Sequence, residues 1–392
     1  MSQGRALEQH IAVFGESGSG KTVLLSSFYG AAQESQNITR SGFNVLAENP
    51  TQGTQLDQNY LGMKKSGKLP EPNRFSSTSY SFLIKLKVRP RGPVGKPKLF
   101  DALRLVWHDY PGEWFEQDVS GLEEAQRRVD TFRSLLSSDV ALLLVDAQRL
   151  IDNSGSEERY LKSLMTDYRN QLLLLEEHLL VDGKPLAKFP RIWMMALSKS
   201  DLLPEMTASD FKELLVEKVG GEINELRDVL SLLVASNMAM SVGEDFVLLS
   251  SAKFGVDKIE VGQRVGLDLI LPVAAVLPFE RHVRWAKAMH NRGKVAEGLL
   301  SGASALAIAM GGAGAIAEKF LLSKSRLLGG IGQLVNVFGS QLSDLAKSGS
   351  YGFKALNAEA LAKHDYLTAT LTGFQIDLDR AEEEKILIKS PR

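Results

Sequence analysis

The octet Gly15, Glu16, Ser17, Gly18, Ser19, Gly20, Lys21, Thr22 has the residue types that hold phosphate, at the spacing G-x-x-x-x-G-K-[ST]. Glycines let the backbone curl until successive N–H groups converge, and a following helix adds the positive end of its dipole at the same point. Gly15, Ser17, Gly18, Ser19 and Gly20 would form the cradle, and Val23 carries it into the helix. Lys21 is a compact cation for β and γ phosphates, and the Thr22 hydroxyl is a hard oxygen donor for magnesium. A second string, Asp109-Tyr110-Pro111-Gly112-Glu113, has the spacing D-x-x-G. An acidic residue there can hold the magnesium shell, and the Gly112 N–H can meet a γ-phosphate, although Asp-x-Pro-Gly also forms ordinary turns.

These strings need strands and helices to place them, and the flanks supply both. Residues 10–14 suit a short buried strand and residues 23–29 the first turns of a helix. Residues 79–88 alternate polar and apolar, the Pro- and Gly-rich stretch 89–97 reads as a hairpin connection, and residues 102–108 return as a second strand ending at Asp109. That hairpin predicts one antiparallel edge strand beside a parallel sheet. Apolar runs at 140–146, 192–197 and 246–249 alternate with helical stretches at 123–136, 157–180 and 210–235. The order predicts an α/β fold with a doubly wound, mostly parallel sheet. Residues 33–75 read as an insertion, with a short strand at 43–47 and a surface helix at 51–65.

Composition bounds the function classes. The chain has 392 residues, 44% apolar and 24% charged, with net charge −1, which gives no broad positive field for nucleic acid. It has no cysteine, so disulfides and thiolate metal sites are excluded, and its six histidines show no ligand spacing. The polar first nine residues lack a signal-peptide core, so cytoplasmic residence is the expectation, with peripheral membrane contact as the alternative.

The ordered set GESGSGKT, DYPGE, SKSD and SAK resembles the guanine-nucleotide motifs of TRAFAC-class P-loop GTPases over about residues 8–285. DYPGEW looks like the YcjX-like proteins, and LPEPNRFSST like the double-GTPase-type domains of bacterial gene clusters, some linked to biological conflict. The resemblance implies a magnesium-dependent GTPase switch that binds GTP and GDP. Asp201 would then pair with the guanine edge, the Lys199 stem would cover the base, and Ser251, Ala252 and Lys253 would meet the guanine carbonyl through the Ala252 N–H. Ser198 stands where the family usually has Asn or Thr, which leaves an ATPase of the same fold as the alternative. Lys-Ser-Asp also suits a helix cap. The resemblance further implies Thr78 as the first-switch threonine and metal ligand beside Thr22 and Asp109, and Glu113 at the water-orienting position. Arg74, four residues before Thr78, is a candidate arginine finger or a solvated loop cation.

The chain changes character after about residue 285. Residues 262–278 are apolar and interrupted by Pro272 and Pro278, which predicts a kinked helix or two short ones closing a domain of residues 1–285. Residues 298–317 carry no charge and are rich in Ala and Gly, and an apolar stripe follows from Leu327 to Leu345. Residues 286–392 therefore read as a mainly helical interaction module, with a terminal hairpin from 371–378 and 385–389. Residues 293–392 would carry a protein partner, self-association or membrane contact, and a membrane-active or scaffolding protein gated by nucleotide is the third reading.

Overall fold

A run of residues apolar on both faces is stable as a strand only where both faces are covered, so the fully buried runs 140–146 and 192–198 belong at the centre of a sheet. The computed structural model describes residues 6–34, 43–70, 78–86, 102–115, 121–180, 183–186, 190–234, 239–254, 259–288, 354, 357–358, 361 and 366–391. Its elements are β1 (Ala6–Phe14), α1 (Lys21–Ala32), β2 (Phe43–Ala47), α2 (Pro50–Ser66), β3 (Thr78–Leu86), β4 (Ala102–Asp109), α3 (Leu122–Leu135), β5 (Val140–Asp146), α4 (Ala147–Asp152) and α5 (Glu157–Leu179). They continue as β6 (Ile192–Ser198), α6 (Ala208–Leu233), β7 (Ser241–Leu248), β8 (Lys253–Phe254), β9 (Ile259–Glu260), α7 (Ile270–Ala275), α8 (Leu277–Ala288), α9 (Tyr366–Glu383) and β10 (Leu387–Ile388).

The main sheet has the order β10-β7-β6-β5-β1-β4-β3-β2. Strands β7, β6, β5, β1 and β4 are parallel, whereas β3 opposes β4, β2 opposes β3 and β10 opposes β7. The fold is the expected doubly wound α/β sheet, and β3 is antiparallel as read. Its outer side is covered by β2, so β3 is not the edge. One face carries α1, α7, α8 and α9; the other carries α3, α5 and α6. On α5 the stripe Leu161, Leu164, Met165, Tyr168 and Leu172 is buried, and each such side chain contributes about 2 kcal/mol of apolar burial.

Three further expectations change. The segment read as an insertion at 33–75 is part of the core where it is described: β2 extends the sheet, and α2 buries Leu56, Tyr60 and Met63. Tyr60 lies so close to Gly30 of α1 that a Cβ there would sit 2.2 Å from the ring. The run 371–378 is helical, not one arm of a hairpin, because Leu371, Phe374, Leu378 and Ala381 fall on one buried face of α9. Residues 366–391 also return to the sheet, so the expected boundary at 285 does not separate them from it.

The return is fastened by charge. Asp245 of β7 and Arg281 of α8 form an ion pair with both side chains at most 1% exposed. The Asp245 carboxylate also accepts from the Ser390 N–H at 2.8 Å and the Ser241 hydroxyl at 3.0 Å. Removing one partner of such a pair leaves a buried charge, at a cost of about 3–5 kcal/mol. The stretches at 298–317 and 327–345 lie outside the described residues, and among the described residues no helix is long and apolar enough to cross a membrane.

Candidate nucleotide site

The site grows from the ends of parallel strands. β1 stops at Phe14, the loop 15–20 turns, and α1 begins at Lys21 with Gly20 before it at φ 92°. Gly18 is at φ 79°, and both values lie in the left-handed region that glycine occupies without penalty. The Ser19 N–H and hydroxyl both reach back to the Glu16 carbonyl, at 3.3 and 2.9 Å, which tightens the curl. Thr22 and Val23 fall in the first helical turn.

Lys21 is 7% exposed and lies along the loop, donating to the carbonyls of Gly15 at 2.6 Å and Glu16 at 3.0 Å. Its ammonium also lies 5.0 Å above the Tyr110 ring. Tyr110 clamps the first glycine of the loop from both sides: its hydroxyl accepts from the Gly15 N–H at 2.7 Å and donates to the Gly15 carbonyl at 3.1 Å. The string 109–112 is thereby joined to the phosphate loop. Gly112 completes the join, because a Cβ on it would lie 2.4 Å from the Ser17 nitrogen and 2.5 Å from the Glu16 carbonyl carbon. No other residue type fits there without moving the loop.

Asp109 closes β4, on the strand next to β1. It is 3% exposed, and burial pushes its carboxyl up to about 6, against the opposing pull of Lys21 and of the Tyr110 N–H. A hydroxyl at Thr22 and one carboxylate at Asp109 make a sparse, hard-oxygen set. Among the described residues no three His, Cys, Asp or Glu side chains form a cage for a metal. Magnesium suits such a set, since it keeps several waters and takes oxygens from phosphates rather than from an all-protein cage. Thr78 opens β3 with its backbone opposite Asp109, and Glu113 lies in the 3-10 turn Gly112–Phe115. The side chains of Thr78 and Glu113, and all of Arg74, lie outside the described residues.

The second half of the site lies at the ends of β6 and β7. Ser198 closes β6 and donates to the Val145 carbonyl of the neighbouring strand at 3.2 Å. Lys199 sits at φ 55°, a strained left-handed position for a side-chain-bearing residue, and its ammonium meets Asp146 Oδ2 at 2.7 Å. Asp201 accepts from the Ser250 hydroxyl at 2.7 Å and from the Phe254 N–H at 3.2 Å. Ser251 and Ala252 are buried behind it, and Lys253 is exposed at the start of β8. The carboxylate at Asp201 is thus bound to the string 250–253, two segments that sequence order alone only lists in succession.

The Double-GTPase 2 family matches residues 9–242 of the chain. The protein belongs to that family. No curated protein matches the sequence. Among solved structures, Methanosarcina barkeri Roco2 RocCORdC bound to GDP is similar at 14% identity and a TM-score of 0.20, over 64% of this chain. The chain spans only 46% of that protein's length. In this Double-GTPase 2 member the family match takes in the phosphate loop, the D-x-x-G turn and Lys199 to Asp201, and stops short of Ser251.

Sequence reasoning passed over four residues that build the site. Tyr110 clamps Gly15, and Asp146 holds Lys199 while capping α4 through the Gln148 N–H at 2.9 Å. Arg149 reaches the phosphate loop from α4, and the Tyr160 hydroxyl joins the same cluster, accepting the Asp146 N–H at 3.1 Å and donating to Glu16 Oε2 at 3.4 Å. The aspartate ending an apolar strand was visible as a cap before a helix. Arg149 had no spacing to mark it.

Proposed function

We propose that this Double-GTPase 2 protein binds a guanine nucleotide and hydrolyses it slowly as a molecular switch. The observation that carries the reading is the junction of two pairs of strings at the ends of adjacent parallel strands: 15–22 joined to 109–112 through Tyr110 and Gly112, and 198–201 joined to 250–254 through Asp201. Ligands of open α/β sheets bind at such strand ends. The phosphates would lie on the loop N–H groups with Lys21 as counter-charge, and the base would lie between Lys199 and Ala252 with its edge on Asp201. A carboxylate there favours guanine, which presents two donors, over adenine.

Thr22 and Asp109 would hold magnesium, with Thr78 joining them from β3, and the ion would supply charge neutralisation at the phosphates. Gly112 would offer its N–H to the terminal phosphate, and Glu113 would orient the attacking water. Release of the phosphate would free Gly112 and the start of β3, and that order change is the switch. The expected output is a protein partner, self-association or membrane contact through residues 293–365, and resemblance to gene-cluster domains suggests a bacterial conflict or stress setting in the cytoplasm. Because β10 and Ser390 are fastened to β7, the useful deletion is internal, removing 293–353.

The competing reading is an ATPase of the same fold. It draws on Ser198, whose hydroxyl bonds to Val145 in the next strand. Titrating the purified protein with GTP, GDP and ATP, with and without magnesium, decides between them. GTP and GDP should bind at least about 50-fold more tightly than ATP, a ratio within reach of one well-placed carboxylate. Equal affinity for ATP would transfer the assignment to the ATPase.

A further inference from the structure

Asp146 ends β5 and caps α4, so Arg149, in the first turn of that helix, is carried over the phosphate loop. Its Nη1 meets Glu16 Oε1 at 3.0 Å, and its Nη2 donates to the Ser17 carbonyl at 3.2 Å. The Glu16–Ser17 peptide is the one against which Gly112 packs, with a Cβ distance of 2.4 Å to the Ser17 nitrogen. The guanidinium, on the Ser17 carbonyl, and Gly112, on the Glu16–Ser17 peptide, therefore hold the two successive peptides on either side of Ser17. This puts Arg149 at the terminal-phosphate end of the loop and away from the base.

Glu16 gives the guanidinium a second purpose. It is 8% exposed, a nearly buried carboxylate inside a loop built for a polyanion, and like charges at such range in a poorly solvated site repel strongly. Arg149 pairs with it directly, while Lys21 donates to the main-chain carbonyls of Gly15 and Glu16. The Arg149 side chain is 37% exposed, which leaves room for its planar fork to turn.

We propose that Arg149 is a cis-acting positioning residue for phosphoryl transfer, cancelling the Glu16 charge and, through the Ser17 carbonyl, fixing the Ser17–Gly18 peptide that follows the one on which Gly112 packs. This rests on the guanine-nucleotide reading above. In the step it serves, a water oxygen bonds to the γ-phosphorus as the bond from that phosphorus to the β–γ bridging oxygen breaks. The bridging oxygen keeps the electron pair and leaves as GDP, and the water gives up its protons to inorganic phosphate and solvent. Negative charge shifts toward the bridging oxygen and the equatorial oxygens. A loop with an unneutralised carboxylate beside them would oppose that shift.

The test uses the full chain, as parent, Arg149→Ala, Arg149→Lys and the double variant Glu16→Gln with Arg149→Ala. Four quantities are measured: GDP affinity, GTP affinity, single-turnover hydrolysis, and retention of GDP with aluminium fluoride as a mimic of the reacting phosphate. Arg149→Ala should slow hydrolysis about 100-fold and abolish fluoride-dependent retention. Its GTP affinity should fall about tenfold while GDP affinity stays within about threefold, because the unmasked Glu16 opposes the terminal phosphate most. The double variant should recover the GTP affinity, and Arg149→Lys should keep it while hydrolysing slowly. Equal loss of GDP and GTP with unchanged hydrolysis, in variants that melt like the parent, would make Arg149 a brace for the loop and overturn the proposal. A parent that binds no guanine nucleotide sinks the underlying assignment instead. If Arg149→Ala does not fold, the Arg149→Lys variant decides, and parental hydrolysis and fluoride retention in it overturn the planar-fork role.

Discussion

The two ends of the site are held in opposite ways. At the phosphate end the working groups bond to one another: Lys21 lies on the Gly15 and Glu16 carbonyls, Tyr110 closes on Gly15, and Gly112 packs on the Glu16–Ser17 peptide. At the base end they are braced from behind: Asp146 holds Lys199, and Ser250 with the Phe254 N–H holds Asp201. A ligand entering the first end must exchange bonds that the loop already makes, while one entering the second meets groups already oriented. On the proposed reading, the phosphate end is where binding would reorganise the protein, and the base end is where it would select. A switch needs that division, because selection by a yielding site and motion from a rigid one would both fail.

Lys21→Ala is the hardest blow to the phosphate end. It removes charge-assisted bonds worth about 3 kcal/mol together, so affinity for GTP and GDP should fall at least about 100-fold in calorimetric titration. Unaltered affinity would leave no reason to place phosphates there. At the base end Asp201→Asn should lower GTP affinity about 30-fold and raise that for xanthosine triphosphate, whose carbonyl replaces the guanine amino group. Parallel loss for both nucleotides would make Asp201 a structural tie between 198–201 and 250–254, and the selecting role would pass elsewhere. Tyr110→Phe is subtler, since the ring stays and only the hydroxyl goes. The Gly15 N–H loses its partner, which costs about 1–2 kcal/mol in the empty protein. Nucleotide affinity should shift by about fivefold, and hydrogen exchange at 15–17 should quicken; no change in exchange would show that Tyr110 does not clamp the loop.

Glu113→Ala has the smallest expected effect on binding. GTP affinity should stay within about threefold while turnover slows about tenfold, as measured by phosphate release. Undiminished turnover would remove Glu113 from the water-orienting position.

Much of this was legible in the residues. The phosphate loop, the strand endings at Asp109, Asp146 and Ser198, and the alternation of strands with helices follow from local spacing, which depends on few neighbours. Distant partners left no such trace. Arg149 reads as any surface arginine until α4 is set over the loop, and Tyr110 as filler between Asp109 and Pro111 until its hydroxyl meets Gly15. The misread run 371–378 did carry its signal, in Leu371, Phe374 and Leu378 at helical intervals, obscured by the alternation of Leu371 with Thr372 and Gly373. The strand at 43–47 and the helix at 51–65 were read, but as parts of an insertion rather than of the core, because α2 buries few large side chains along 17 residues, too thin a stripe to mark a core helix.

The antiparallel strand β10 has a bearing on how the protein is made. Strand β7 ends at Leu248 and waits about 140 residues, until Leu387, for the neighbour that covers its outer side. Until it pairs, that margin offers bare N–H and C=O groups, the kind of surface on which nascent chains stick to one another. The half of the site proposed to select the base hangs on β6 and β7, next to the margin that β10 covers last in chain order. A chain that ends short of Leu387 would lack the strand that covers the outer side of β7.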